Sequence, residues 1–167
     1  FRDLDAALAW RLGEPISARQ FLADAQVAAA AIPCDAQGVL DLCADRYDFA
    51  VVMAAALMRG VPSLMPPNTL PATLELLHSS HPGLATVVKL SERATAAQVA
   101  LVKGVPEVDG ALMAAVLLTS GSTGAPVPHS RTWGSVVLNA RAQAQRMAQV
   151  LGRRDLAGLT LVATVPG

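Results

Sequence analysis

Apolar positions along the chain switch repeatedly between a helix-like and a strand-like period, and that alternation predicts the architecture. Ser17-Ala18-Arg19-Gln20 is a capping-box pattern ahead of Phe21, Leu22, Ala25, Ala28 and Ala29 at helical spacing, and Pro33 ends the helix. Gly38 to Cys43 reads as a short buried strand, and Asp45 as the cap of a helix through Phe49, Val52, Met53 and Ala56 to Gly60. Val61 to Met65 is extended again, kept short by Pro62, Pro66 and Pro67. Thr69 and Pro71 supply a cap and a first-turn proline for a helix through Leu74, Leu77 and His78, after which Leu84 to Leu90 is a β-branched run. Thr95-Ala96-Ala97-Gln98 repeats the capping box before Val99, Leu101 and Val102, and Gly104 to Gly110 is a polar connection. Ala111 to Thr119 is apolar on both faces, as expected of a strand covered on each side. Trp133 to Val150 has helical spacing at Val136, Val137, Ala140, Ala144 and Met147, and Leu159 to Val165 closes as a strand. The expected fold is α/β, a mainly parallel sheet flanked by helices, with strand order left open.

Composition narrows the function classes. Of 167 residues, 53% are hydrophobic and 16% charged, enough for one domain with a core of its own. Thirteen basic and thirteen acidic side chains cancel, so the chain lacks the footprint of a nucleic-acid binder. The longest apolar runs, Phe49 to Met58 and Ala111 to Leu118, fall well short of the roughly 18 to 20 residues of a membrane span. Phe1 to Asp5 has neither a start methionine nor a signal-peptide layout, so the chain reads as an excised segment. Cys34 and Cys43 lack Cys-x-x-Cys spacing, which implies reduced thiols in a cytoplasm.

One segment is chemically specialised: Thr119-Ser120-Gly121-Ser122-Thr123-Gly124-Ala125-Pro126, read as a turn between the buried strand and the helix from Trp133. Gly121 and Gly124 let successive amides turn toward one anion, and the hydroxyls of Ser120, Ser122 and Thr123 add donors. A strand-to-helix turn at the edge of a parallel sheet is also where α/β proteins place ligands. There is no Gly-Lys pair for a P-loop and no Gly-x-Ser-x-Gly for a nucleophile elbow. The residues by themselves leave both a phosphate cradle and an ordinary Ser/Gly turn open.

Thr119-Ser120-Gly121-Ser122-Thr123-Gly124-x-Pro126 resembles the phosphate-binding motif of the ANL adenylate-forming superfamily, which includes acyl-CoA synthetases, peptide-synthetase adenylation domains and luciferases. Asp45-Arg46-Tyr47-Asp48-Phe49 through Gly60 and Leu64-Met65-Pro66-Pro67-Asn68 is similar to that family's helix and short strand upstream. Gly13-Glu14-Pro15-Ile16-Ser17 with Phe21 is similar to its opening segment. The resemblance implies that residues 1–167 are a partial N-terminal, AMP-binding domain, the incomplete front of the large domain. It also implies a two-step reaction. A carboxylic acid attacks the α-phosphate of ATP, with Mg2+ present, to give an acyl-adenylate, and a thiol of CoA or a carrier protein then takes the acyl group. Thr119, Ser120, Gly121, Ser122, Thr123 and Gly124 would cradle the β- and γ-phosphates. Where most members carry lysine after the proline this chain has Val127, so His129 or Arg131 becomes the candidate source of positive charge. The catalytic groups are expected downstream of Gly167, which makes this chain inactive alone. A non-catalytic nucleotide- or partner-binding relative is the alternative that the lost lysine suggests. Uncovered sheet would favour a homo-oligomer.

Other residues read as structural. His78 and His81 lack a third ligand and are helix-end histidines. Asp45 and Asp48 cap a helix, and Trp10, Phe21, Tyr47, Phe49 and Trp133 belong to the core. Cys34 and Cys43 are inert, and Met53, Met58, Met65 and Met113 pack.

Overall fold

A computed structural model describes residues 3–120 and 126–160 of the chain. Its elements are β1 (Ala7–Arg11), β2 (Glu14–Ser17), α1 (Ala18–Ala31), β3 (Gly38–Asp41), α2 (Arg46–Arg59), β4 (Ser63–Met65), α3 (Pro71–Ser80), β5 (Leu84–Val87), α4 (Ala96–Leu101), β6 (Met113–Ser120), β7 (Pro126–Thr132) and α5 (Trp133–Val150). The main sheet runs β5-β3-β4-β6-β7, with β5, β3, β4 and β6 parallel and β7 antiparallel at the edge. This is the expected mainly parallel α/β sheet.

Alternation along the strands divides the core in two. Leu40, Leu64 and Leu118 meet Leu77 of α3 on one face. Val39 faces the other way, toward Ala29 and Ile32 near the end of α1 and Val52, Ala55 and Ala56 of α2. α1 is capped by Ser17, whose hydroxyl accepts from the Gln20 N–H, but Gln20 does not reach back. Its amide donates instead to Asp24 and to the Ala94 carbonyl, so the expected box is half made. At α4 both halves are present between Thr95 and Gln98. α2 is capped by Asp45, which accepts from the Tyr47 and Asp48 N–H groups, and ends on Gly60 in the left-handed region at φ 72°. Thr69 is not the cap of α3. Leu70 occupies that position without a side-chain bond, and Asn68 Oδ1 accepts from the Leu70 N–H and the Thr73 hydroxyl in its place.

α1 carries a fully buried acid. Asp24 is 1% exposed and accepts from Tyr47 Oη at 2.7 Å, the Ala94 N–H at 2.7 Å, Gln20 Nε2 at 2.9 Å and Arg93 Nη1 at 3.3 Å. Arg93 also donates to Asp48 at 2.7 Å and lies 4.4 Å over the Tyr47 ring. Asp48 is therefore an ion-pair partner as well as a first-turn residue. Together these contacts tie α1, α2 and the segment before α4 to one another.

Two elements were absent from the sequence expectations. β1 and β2 form an antiparallel ribbon beside the main sheet. Its inner residues Ala9 and Ile16 pack against Tyr47, Val51 and Ala25, while Arg11 pairs with Asp45 at 3.0 Å. Trp10 points outward at 60% exposure, which removes it from the expected core, and Met113 is likewise at the surface. β7 is the second addition, and its prolines are tolerated because it is an edge strand. Leu159 and Thr160 are irregular, and the remainder of the expected last strand lies outside the described residues.

The ribbon turns through Leu12 at φ 52° and Gly13 at φ 86°. Positive φ at both positions suits Asn-Gly or Gly-Gly, and a leucine side chain crowds the backbone there. Leu12→Asn should stabilise the chain by about 1 kcal/mol, read as a raised urea midpoint at unchanged slope.

Asp41 ends β3 on the α2-facing side at 5% exposure; one carboxylate oxygen accepts from the Cys43 N–H and the other has no partner among the described residues. Burial pushes its pKa up to about 6, with Asp48 adding a smaller repulsion. The folded chain thus holds a proton that the unfolded chain has released between about pH 4 and 6, so Asp41 lowers stability as pH rises through that window. The loss approaches about 3 kcal/mol at neutral pH. Thermal midpoints measured from pH 4.5 to 7.5 should decline less steeply in Asp41→Asn than in the parent.

Candidate functional site

The specialised segment joins β6 to β7. Residues 121–125, with the side chains of Ser120 and Pro126, fall outside the described residues, so the expected positions of Gly121, Ser122, Thr123 and Gly124 do too. What is described is the frame that holds them. β6 and β7 pair antiparallel with Ser120 opposite Pro126, Thr119 opposite Val127, Leu117 opposite His129 and Ala115 opposite Arg131. This corrects the expected strand-to-helix turn: an antiparallel strand, β7, follows the segment, and α5 begins only after it. The N-terminus of α5 therefore follows the far end of β7 from Pro126, and its first N–H groups are taken: Trp133 donates to the Leu112 carbonyl, Gly134 to the Gly110 carbonyl and Ser135 to the Thr132 hydroxyl.

β6 ends in Ser120 at the same edge at which β3, β4 and β5 end in Asp41, Met65 and Val87. In open α/β sheets this edge is the usual ligand side. The chain leaves β3 for β4 through α2 and leaves β4 for β5, on the far side of β3, through α3; successive connections thus depart in opposite directions from the centre of the sheet. β6 returns beside β4, so Ser120 ends a strand next to the β3–β4 pair.

Thr119, Val127, His129 and Arg131 are all exposed. Val127, His129 and Arg131 alternate along β7 and share one face of the hairpin. His129 stands three residues from Pro126, about 10 Å down the strand, and Arg131 five residues, about 17 Å. His129 is the nearer to Pro126 along β7, and Val127, directly after Pro126, is 44% exposed.

The other titratable groups are engaged elsewhere. His78 Nε2 is 3.2 Å from the Thr86 hydroxyl, and His81 Nδ1 is 2.9 Å from the Ser80 hydroxyl. Among the described residues no group of three or more His, Cys, Asp or Glu side chains could hold a metal ion. Burial, reinforced by Asp41, pushes the Cys43 thiol up to about 12, so it stays protonated and unreactive at neutral pH. Asp45 is held below the usual carboxylate range, chiefly by the Asp48 N–H and also by Arg11 and the Tyr47 N–H. Burial and the bond to Asp24 raise the Tyr47 hydroxyl. A cavity of about 500 Å³, lined by Ala28, Ile32, Val52, Ala55, Val87 and Leu90 among others, lies at the β5 edge on the α1–α2 side. No described helix is long and apolar enough to cross a membrane.

The acid that organises α1, Asp24, was not singled out in the sequence. Its signal was a carboxylate inside the apolar run Leu22-Ala23-Asp24-Ala25, a position that demands buried partners.

No protein-family model and no curated protein matches the chain. Solved structures do match it. O-succinylbenzoate coenzyme A synthetase (MenE) from Bacillus subtilis, in complex with AMP, superposes with a TM-score of 0.60 at 18% identity over 92% of this chain and 43% of that one. An ATP-bound RpMatB-BxBclM chimera gives 0.62 at 15% identity, over 87% and 36%. The anthranilate CoA ligase AuaEII, in complex with anthranoyl-AMP, gives 0.57 at 13% identity, over 85% and 33%. The chain thus spans less than half the length of these proteins, and at such identities the likeness is one of fold. The mostly parallel five-stranded sheet with its flanking helices is the fold of part of the large domain of the ANL adenylate-forming enzymes.

Proposed function

We propose that this chain is the nucleotide-phosphate-holding part of an AMP-forming ligase, which activates a carboxylic acid with ATP as an acyl-adenylate and passes it to the thiol of CoA or a carrier protein. One observation carries the reading. The Ser/Gly/Thr segment emerges at the carboxyl edge of a parallel sheet, in a fold shared with proteins solved with AMP and ATP.

In this reading Thr119, Ser120, Gly121, Ser122, Thr123 and Gly124 hold the β- and γ-phosphates. Glycine amides and three hydroxyls after Thr119 form a donor set without fixed charge, suited to spread phosphate anions. Their work is positioning: the donors hold the phosphate tail still so that the α-phosphorus faces the incoming carboxylate, and they offset charge on the leaving pyrophosphate. Val127 contributes no charge, so His129 or Arg131 supplies it, with His129 closer along the strand. Mg2+ would neutralise phosphate charge when bound.

The apolar side chains left exposed on α5, Leu138 and Val150, with Leu151 beyond it, support self-association of the isolated chain. A second reading, a nucleotide- or partner-binding relative without catalysis, is favoured by Val127 in place of a cation. Pyrophosphate exchange by the longer protein separates the two.

Calorimetric titration of the chain with tripolyphosphate should show binding weakened about tenfold by Thr123→Ala, by one lost charge-assisted hydrogen bond. His129→Ala should weaken it more than Arg131→Ala; an unchanged affinity in Thr123→Ala would sink the reading, and in Arg131→Ala would remove that residue from the site. The 167-residue chain alone should give no ATP–pyrophosphate exchange with any carboxylate, and turnover would show that the expected downstream groups are dispensable.

A further inference from the structure

The formal neutrality of the chain hides a segregation of charge. Between Asp109 and Asp155 the sequence holds no acidic residue, yet it holds five arginines and His129. Two of these cations come together on β7. Ala115 stands opposite Arg131 and Leu117 opposite His129, and across the sheet Ala115 lies beside Ser63 and Ser63 beside Val39. Partners in register share a side, so His129 and Arg131 are on the same face of the sheet as Val39, the α2 side. Both are exposed. Among the described residues His129 has no hydrogen bond or ion pair, and Arg131 donates only to the neighbouring Ser130 carbonyl.

We propose, resting on the phosphate reading and adding its regulation, that His129 makes polyphosphate binding proton-dependent: the anion is held while the imidazole is charged and released as rising pH discharges it. Arginine keeps its charge at any relevant pH, whereas histidine is the side chain whose charge changes near neutrality. The hydroxyls and amides of the segment after Thr119 carry no fixed charge and Val127 adds none, so the first cation along β7 is one that a proton switches. An imidazolium donates a charge-assisted bond to a phosphate oxygen, stronger than any bond of the neutral ring. By linkage a bound anion favours the protonated ring, so binding near neutral pH draws protons from solution. The neighbouring charges are of two kinds. Arg131 on β7, Arg141 and Arg146 on α5, and Arg46 and Arg59 on α2 do not titrate, and Asp48 on α2 is paired with Arg93. Asp41 does titrate, and it ends β3 on the same face, three strands or about 14 Å across the sheet.

The test is calorimetric titration of the 167-residue chain with tripolyphosphate from about pH 5.5 to about pH 8.5, comparing the parent with His129→Gln at each pH. Taking the ratio of the two affinities cancels the ionisation of the ligand and of Asp41, which both proteins share. The ratio should be about tenfold at the acid end and fall to within about twofold of unity at the alkaline end. The ratio of His129→Lys to His129→Gln should stay level, because lysine keeps its charge throughout. Titrations near neutral pH in buffers of different ionisation enthalpy should show more protons taken up by the parent than by His129→Gln. Far-ultraviolet circular dichroism checks that each variant is folded. A parent ratio that does not change with pH, or a His129→Lys ratio that falls as steeply as the parent's, overturns the proposal and leaves the phosphate reading to Thr123→Ala. Absence of tripolyphosphate binding at every pH overturns both.

Discussion

A carboxylate removed from water must find donors on every side, and the helical layer of this protein is arranged around one. Asp24 sits at 1% exposure in the middle of α1 and accepts from Gln20 one turn before it, Tyr47 on α2, and Arg93 and Ala94 from the segment before α4. An ionised group left without these partners would cost several kcal/mol, so the helices cannot drift apart without exposing or stranding it. The alanine-rich interface of α1 and α2, with Ala25, Ala29, Ala55 and Ala56 buried, brings the helices close but has little shape by which to choose a register. The Asp24–Tyr47–Arg93–Asp48 network selects it.

The consequence reaches the sheet. α2 is held by its first turn, where Asp45 accepts two backbone N–H groups and pairs with Arg11, and Asp48 pairs with Arg93. That fixes the exit from β3 and hence the carboxyl edge shared by β3, β4 and β6. At that edge one oxygen of Asp41 has no partner among the described residues, and β6 ends there in Ser120, where the segment of proposed phosphate donors begins.

Much of the fold could be read locally. Ser17, Asp45 and Thr95 cap helices in the structure as their patterns imply, and Gly60 ends α2. The double-sided apolar run became β6, a sheet strand flanked by β4 and β7. The misses share a cause. Pro126-Val127-Pro128 carries no local strand signal, since proline removes amide donors, and its place at the sheet edge, opposite Ser120 and Leu118, makes it a strand. The ribbon was hidden by a Leu12-Gly13 turn that lacks the usual asparagine or second glycine. Gln20 was matched to a capping box it does not complete, because Asp24 and the Ala94 carbonyl compete for its amide.

The sequence by itself determined the alternation of helices and strands, the stops between them, and the composition of the segment after Thr119. Each of these depends on residues within about five positions of one another, where propensity, capping and periodicity act. The tertiary structure alone decided the strand order, the hairpin that carries the segment, the outward Trp10 and the partners of Asp24. Those depend on groups brought together from 23 positions away at Tyr47 and 70 at Ala94. Burial and pairing across such separations are paid for collectively, so no local pattern records them.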